Sequence, residues 1–231
     1  MRTSHVAAFF ALGVCVFGTS PTLGRDFETW LKAGNDPSVL ASIESAILNG
    51  TDRISMRMVG HILMIKTSPL HNSQKGIRFL LRSADLGDAD AQFSIGHYYD
   101  SGEYLTKNPL LAEKYYRLSA AQNKIESMYN LAALLVDKKE PQYNSEIMKL
   151  LISSALIGSV RSMTTLGIFY FRGVIAPADY VEYYRWLNLA SKRGDAEAQG
   201  IRNAIAGRMT PSQIAEAQKR SSETKISDPA K

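Results

Sequence analysis

Four positions in this chain share one register: Gly87, Asn123, Gly158 and Gly194 are separated by 36, 35 and 36 residues. Their surroundings repeat too, so that Ala84-Asp85-Leu86-Gly87-Asp88-Ala89-Asp90-Ala91-Gln92 parallels Ala190-Ser191-Lys192-Arg193-Gly194-Asp195-Ala196-Glu197-Ala198-Gln199. A period of this length belongs to stacked supersecondary units, none of which can bury its apolar face alone. Other columns keep the register. Ala91, Ser127, Ser162 and Ala198 form one of small residues, and Gly60, Gly96, Ala132 and Gly167 form a second. Phe79, Tyr115, Leu150 and Trp186 form a large apolar one.

Each unit reads as two helices. From Asp88 to Ser101, Ala91, Ile95, Gly96 and Tyr99 share a face at helical spacing. Gly102 and its counterpart Gly173 end the first helix, because glycine accepts the left-handed cap geometry. The second helix starts at Asn108-Pro109, with asparagine as N-cap and proline at the first helical position. Asn72 and Asp179 occupy the same cap register, and the remaining copy is looser, with Tyr143 there and Asn144 beside it. The small column is expected to let helix backbones approach, and the large column to fill the space between pairs. Long Val/Ile/Thr runs are absent, and a content of 45% hydrophobic and 21% charged residues suits an ordinary folded protein.

These residues resemble Sel1-like repeats, relatives of the tetratricopeptide repeats. One unit carries Ala89-x-Ala91-Gln92, Ile95-Gly96, Tyr99, Gly102, Asn108, Ala112, Tyr115 and Ala120-Ala121. Another carries Thr165-Leu166-Gly167, Tyr170, Gly173-Val174, Asp179, Trp186 and Ala190. The middle unit departs: Leu131-Ala132 replaces Leu-Gly, and Asp137-Lys138-Lys139-Glu140-Pro141 lacks the glycine, so that loop is expected to differ in shape. The stretch from Thr51 to Ser83 is more degenerate still. The resemblance implies an all-α, right-handed α-solenoid of about four to five Sel1-like/TPR-like helix pairs with helical caps.

The ends read differently. Met1 to His5 is short and positive, Val6 to Phe17 is apolar, and small turn-prone residues follow to Gly24. The apolar run is shorter than the roughly 20 residues of a membrane span and fits a signal peptide cut after Gly24, hence a periplasmic or secreted protein. Cys15, the only cysteine, follows bulky Val14, which argues against a lipoprotein signal. The expected organisation is a signal peptide over 1–24, capping helices over 25–50, the repeat array over 51–209, a capping helix over 210–220 and a polar flexible tail over 221–231. Thr210-Pro211-Ser212-Gln213 marks the start of that last helix as a capping box. Loss of Arg2 with the leader would leave 26 basic against 22 acidic residues, a net +4 without a concentrated patch. Neither that distribution nor export fits nucleic-acid binding.

No phosphate-binding, dinucleotide, zinc-protease or nucleophile-elbow motif is present, so neither cofactor nor metal is implied. His61 and His97 follow Gly60 and Gly96 at equivalent repeat positions, without further ligands at metal spacing. The first-helix face opposite the packing columns remains as the candidate site. It carries Asp90, Ser94 and His97, then Glu126, Tyr129 and Asn130, then Arg161, Thr165 and Arg172. In solenoids such faces commonly line the concave surface. The expected function is therefore non-catalytic: a monomeric adaptor or regulator that binds another protein of the envelope or of a host, with no transmembrane segment after processing. The alternatives are an envelope hydrolase or β-lactam-binding protein of Sel1-like type, whose paired cysteines this chain lacks, and a structural cell-wall-binding protein.

Overall fold

The computed structural model describes residues 50–67, 71–173 and 175–227. The leader expected at 1–24 and, but for Gly50, the caps expected at 25–50 lie outside the described residues. All regular structure among the described residues is helical. In chain order the α-helices are α1 (Arg53–Met64), α2 (Ser73–Asp85), α3 (Ala89–Ser101), α4 (Pro109–Ala120) and α5 (Ile125–Asp137). They continue as α6 (Asn144–Leu156), α7 (Val160–Arg172), α8 (Tyr180–Lys192), α9 (Ala196–Ala206) and α10 (Pro211–Glu223), with a 3-10 turn at Pro141–Tyr143 before α6. By the repeat register, α1–α2, α3–α4, α5–α6 and α7–α8 are successive pairs among the described residues, and α9 and α10 both pack against α8. Two compact units divide within α3, the first ending at Ile95 and the second beginning at Gly96.

The repeat register is written into the backbone. Gly87, Asn123, Gly158 and Gly194 have φ of +88°, +63°, +107° and +91°, all left-handed. At each, the following N–H reaches back to a second-helix carbonyl five residues earlier: Asp88 to Ser83, Lys124 to Ser119, Ser159 to Ser154 and Asp195 to Ala190. This closure ends one pair and starts the next. The residue that makes it then caps the following helix through its side chain at Asp88, Ser159 and Asp195, whereas Lys124 makes no such cap bond.

Turns within pairs also repeat. The N–H of Asn72, Asn108 and Asp179 donates to the carbonyl of Leu63, Tyr99 and Tyr170, nine residues back in each case. Each of these side chains accepts from free N–H groups of the second helix, as expected. Gly102 and Gly173 sit at φ +79° and +62°. The third pair differs, as expected: Lys139 adopts φ +57° without being glycine, and the 3-10 turn replaces the capped entry.

In the first unit, α1 and α2 bury Met56, Val59, Leu63 and Phe79 with Leu86 against them. Their backbones approach at Gly60 and Gly76, where a Cβ on Gly60 would lie 2.7 Å from Leu80 Cγ. In the second unit, Gly96 lies against Tyr116, where an added Cβ would come to 2.8 Å of the ring, and Gly167 against Leu187 at 3.2 Å. The residues facing the glycines of the small column are thus Leu80, Tyr116 and Leu187, and Leu151 holds the same register in the third pair; all are at most 2% exposed. They lie one residue beyond the large column expected from sequence, of which Leu150 is only half-buried. Both columns fit helical spacing; only packing distinguishes the one that fills the crossing.

The second unit also buries hydroxyl pairs between successive pairs of helices. Ser127 Oγ lies 2.6 Å from Ser119 Oγ, and Ser154 Oγ lies 2.6 Å from Ser162 Oγ. At its end, α10 starts with the expected capping box between Thr210 and Gln213. The helix does not stop near Arg220 but runs to Glu223, and the chain as far as Ser227 is tied down rather than forming a flexible tail from 221. Ser221 is buried and accepts from Asn188 Nδ2 at 2.9 Å, Thr224 Oγ1 accepts from Arg185, and the Ser227 N–H donates to Leu156 C=O at 2.8 Å. Polar composition concealed this, because the segment docks through hydrogen bonds and not through an apolar stripe.

Candidate functional site

The site is what core packing leaves over on the first helices of the second unit. Helix α5 turns Ser127, Met128, Leu131, Ala132 and Leu135 inward, and α7 turns Ser162, Met163, Leu166 and Gly167 inward. The opposite side presents Glu126, Arg161 and Arg172 to solvent, with Tyr129, Asn130 and Thr165 half-buried.

The nine residues expected to form one row have different roles. Asp90 and Ser94 belong to the first unit. There Arg57 reaches Asp90 at 3.6 Å and Asp88 at 3.0 Å, while the Ser94 hydroxyl donates to the Asp90 carbonyl at 2.9 Å. His97 is exposed, with its ring 6.2 Å from that of Tyr98. Asn130 is built into the fold: its Nδ2 donates to Tyr116 Oη at 3.3 Å, and that hydroxyl donates to Asp100 Oδ2 at 3.3 Å. Burial pushes the Tyr116 phenol up; the bond from Asn130 opposes this and Asp100 adds to it. In the first unit, burial and then Arg57 hold the His61 imidazole below its usual value. Among the described residues, no three His, Cys, Asp or Glu side chains converge as metal ligands would.

Tyr129 and Arg161 do come together. The guanidinium carbon stands 4.3 Å from the centre of the tyrosine ring, a cation–π stack that joins α5 to α7. Beside it runs a groove of about 200 Å³. Tyr129 and Thr165 line it at one end and Asp137 lies on its wall, with Ala132, Ala133, Val136, Leu151 and Phe169 as apolar surface. Sequence projection found Tyr129 and Thr165 and missed the rest. A signal was present: Ala133 and Phe169 lie one helical turn beyond Tyr129 and Thr165. Glu126 pairs with Lys124 at 3.2 Å, and among the described residues no carboxylate forms an ion pair with Arg161 or Arg172. A second recess of about 480 Å³ lies on the outer side of α4, bordered by the exposed Leu110 and Leu118.

The Sel1 repeat family matches the chain at residues 55–88, 89–124 and 160–195. The matched stretches coincide with α1–α2, α3–α4 and α7–α8, and leave out the third pair, where Ala132 and Lys139 break the pattern. The first pair, read from sequence as the most degenerate, does match. No curated protein matches this sequence. Among solved structures, a Sel1 repeat protein from Oxalobacter formigenes aligns with TM-score 0.66 and 21% identity, over 87% of this chain and 84% of that one. A protective antigen of uropathogenic Escherichia coli strains, c5321, described as displaying an SLR fold, aligns with TM-score 0.47 and 21% identity. That alignment covers 82% of this chain and 49% of the antigen. Three of the helix pairs among the described residues are Sel1 repeats, and the chain is therefore a Sel1-repeat protein over those stretches.

Proposed function

We propose that this chain is an exported adaptor that binds another protein through the first-helix face of its second unit and performs no catalysis itself. The observation that carries this reading is the Tyr129–Arg161 stack beside the α5–α7 groove. It combines an aromatic surface, an exposed cation and an apolar recess on a face that core packing does not consume, the composition that interface anchors favour. Export to the periplasm or beyond rests on the leader-like residues 1–24, which end in small residues before Arg25. No helix among the described residues is long and apolar enough to cross a membrane.

Affinity capture from envelope extract tests the reading, with the parent beside a variant carrying His97→Ala, Arg161→Ala and Arg172→Ala. These side chains are exposed, whereas Asn130 supports Tyr116 and is left intact. A specific protein retained by the parent and lost by the variant, at unchanged helical circular dichroism, supports the adaptor reading. Equal capture by both removes this face from it, and capture of nothing by the parent removes the adaptor. N-terminal sequencing of protein recovered from outside the cytoplasm is expected to begin at Arg25.

A further inference from the structure

The groove limits what that partner can present. It is smaller than the ~300 Å³ and upwards typical of small-molecule pockets, so it suits one large side chain rather than a cofactor. Its floor and walls are Ala132, Ala133, Val136, Leu151 and Phe169, and the alanines create the recess because larger residues there would fill it. Desolvating such a surface favours an aliphatic or aromatic side chain.

Charge sets the rest. Arg161 is exposed, and its guanidinium carbon lies 4.3 Å from the centre of the Tyr129 ring, a contact that uses the charge but none of the N–H donors as hydrogen bonds. A stacked guanidinium is preorganised for a carboxylate, which it binds through two parallel N–H donors. The nearby Glu126 is engaged with Lys124, and among the described residues no carboxylate forms an ion pair with Arg161. Asp137, two turns along α5 from Tyr129, lies on the groove wall away from that stack and would repel an acid placed there. The carboxylate is therefore expected at the Arg161 end only.

We propose that the α5–α7 groove receives one aliphatic or aromatic side chain of an internal segment of a partner protein, with an adjacent Asp or Glu of that segment held by Arg161. This rests on the protein-binding reading above, and its test separates the two. A displayed random library of twelve-residue peptides is selected on the full chain. Enriched peptides are then titrated against the parent, Ala133→Phe, which fills the groove from an exposed position, and Arg161→Glu.

The expected result is enrichment of an apolar residue beside an acidic one. Affinity should fall at least tenfold in Ala133→Phe, and a Glu-to-Lys peptide should bind Arg161→Glu better than the parent. Circular dichroism and the melting temperature of both variants establish that they fold. No enrichment, sequences without an acid, dependence on a free C-terminal carboxylate, or equal binding to Ala133→Phe would each overturn the proposal. If the envelope partner is captured undiminished by both groove variants, the groove proposal fails while the adaptor reading stands. If the parent captures no partner, the adaptor reading itself fails.

Discussion

Lys139 shows how one residue carries a local conflict. It takes a left-handed φ of +57°, one position past the register of Gly102 and Gly173, which hold left-handed φ at the ends of α3 and α7 in the second and fourth pairs. A Cβ in that region meets the following carbonyl, at roughly 1–2 kcal/mol. Lys139→Gly is therefore expected to raise stability by about 1 kcal/mol, read as a higher urea midpoint. Asn123, at +63°, is of a residue type that visits this region readily, so Asn123→Gly should change the midpoint by much less. The close-approach glycines make the opposite case. Gly96→Ala drives a methyl to 2.8 Å from the Tyr116 ring and should destabilise by about 2 kcal/mol. At Gly167 the nearest atom is 3.2 Å away on a flexible leucine, and the helical gain of about 1 kcal/mol from alanine should nearly offset the crowding. Denaturation of both variants checks the order, and equal losses would contradict the packing described.

Between elements, the third pair compensates for its irregular turn with charge. Glu113 on α4 accepts from Lys138 just past α5 at 2.7 Å, pairs with Arg117 at 2.8 Å, and Arg117 in turn holds Glu146 on α6. Burial alone would raise the Glu113 carboxyl, but the bonds from Lys138 and Arg117 outweigh it and hold the group below its ordinary 4.5. A carboxyl depressed in the folded state adds stability above its unfolded value, and that contribution is lost as pH falls through the folded one. Glu113→Gln is accordingly expected to cost about 1 kcal/mol at pH 7, a difference that shrinks below pH 4.5 and vanishes at strongly acid pH. Thermal melts of parent and variant across that range give the comparison. Lys138 also stands 4.8 Å from the Tyr143 ring, which ties the 3-10 turn into the same cluster.

For the molecule as a whole, the C-terminal segment is the clearest test of what sequence conceals. Truncation after Arg220 removes the Ser221 partner of buried Asn188, the Thr224 acceptor of Arg185 and the Ser227 bond to Leu156. We expect a loss of roughly 2 kcal/mol, which for a chain of this size is about 4–8 °C of melting temperature; an unchanged melt would restore the free tail read from composition. Sequence alone determined the all-helical repeat, its period, the caps at Asn72, Asn108, Asp179 and Thr210, and the aberrant third turn. These depend on residues that act within a few positions of themselves, through φ preference, capping and helical periodicity. Tertiary structure decided which of two adjacent columns faces the close-packed glycines, that Asn130 supports Tyr116, that Tyr129, Thr165 and Phe169 border one groove, and that Arg161 lies over Tyr129 beside it. It also decided that a polar tail is docked. Each depends on residues from different helices meeting in three dimensions, and helical spacing specifies the face on which a residue lies but not what stands opposite it.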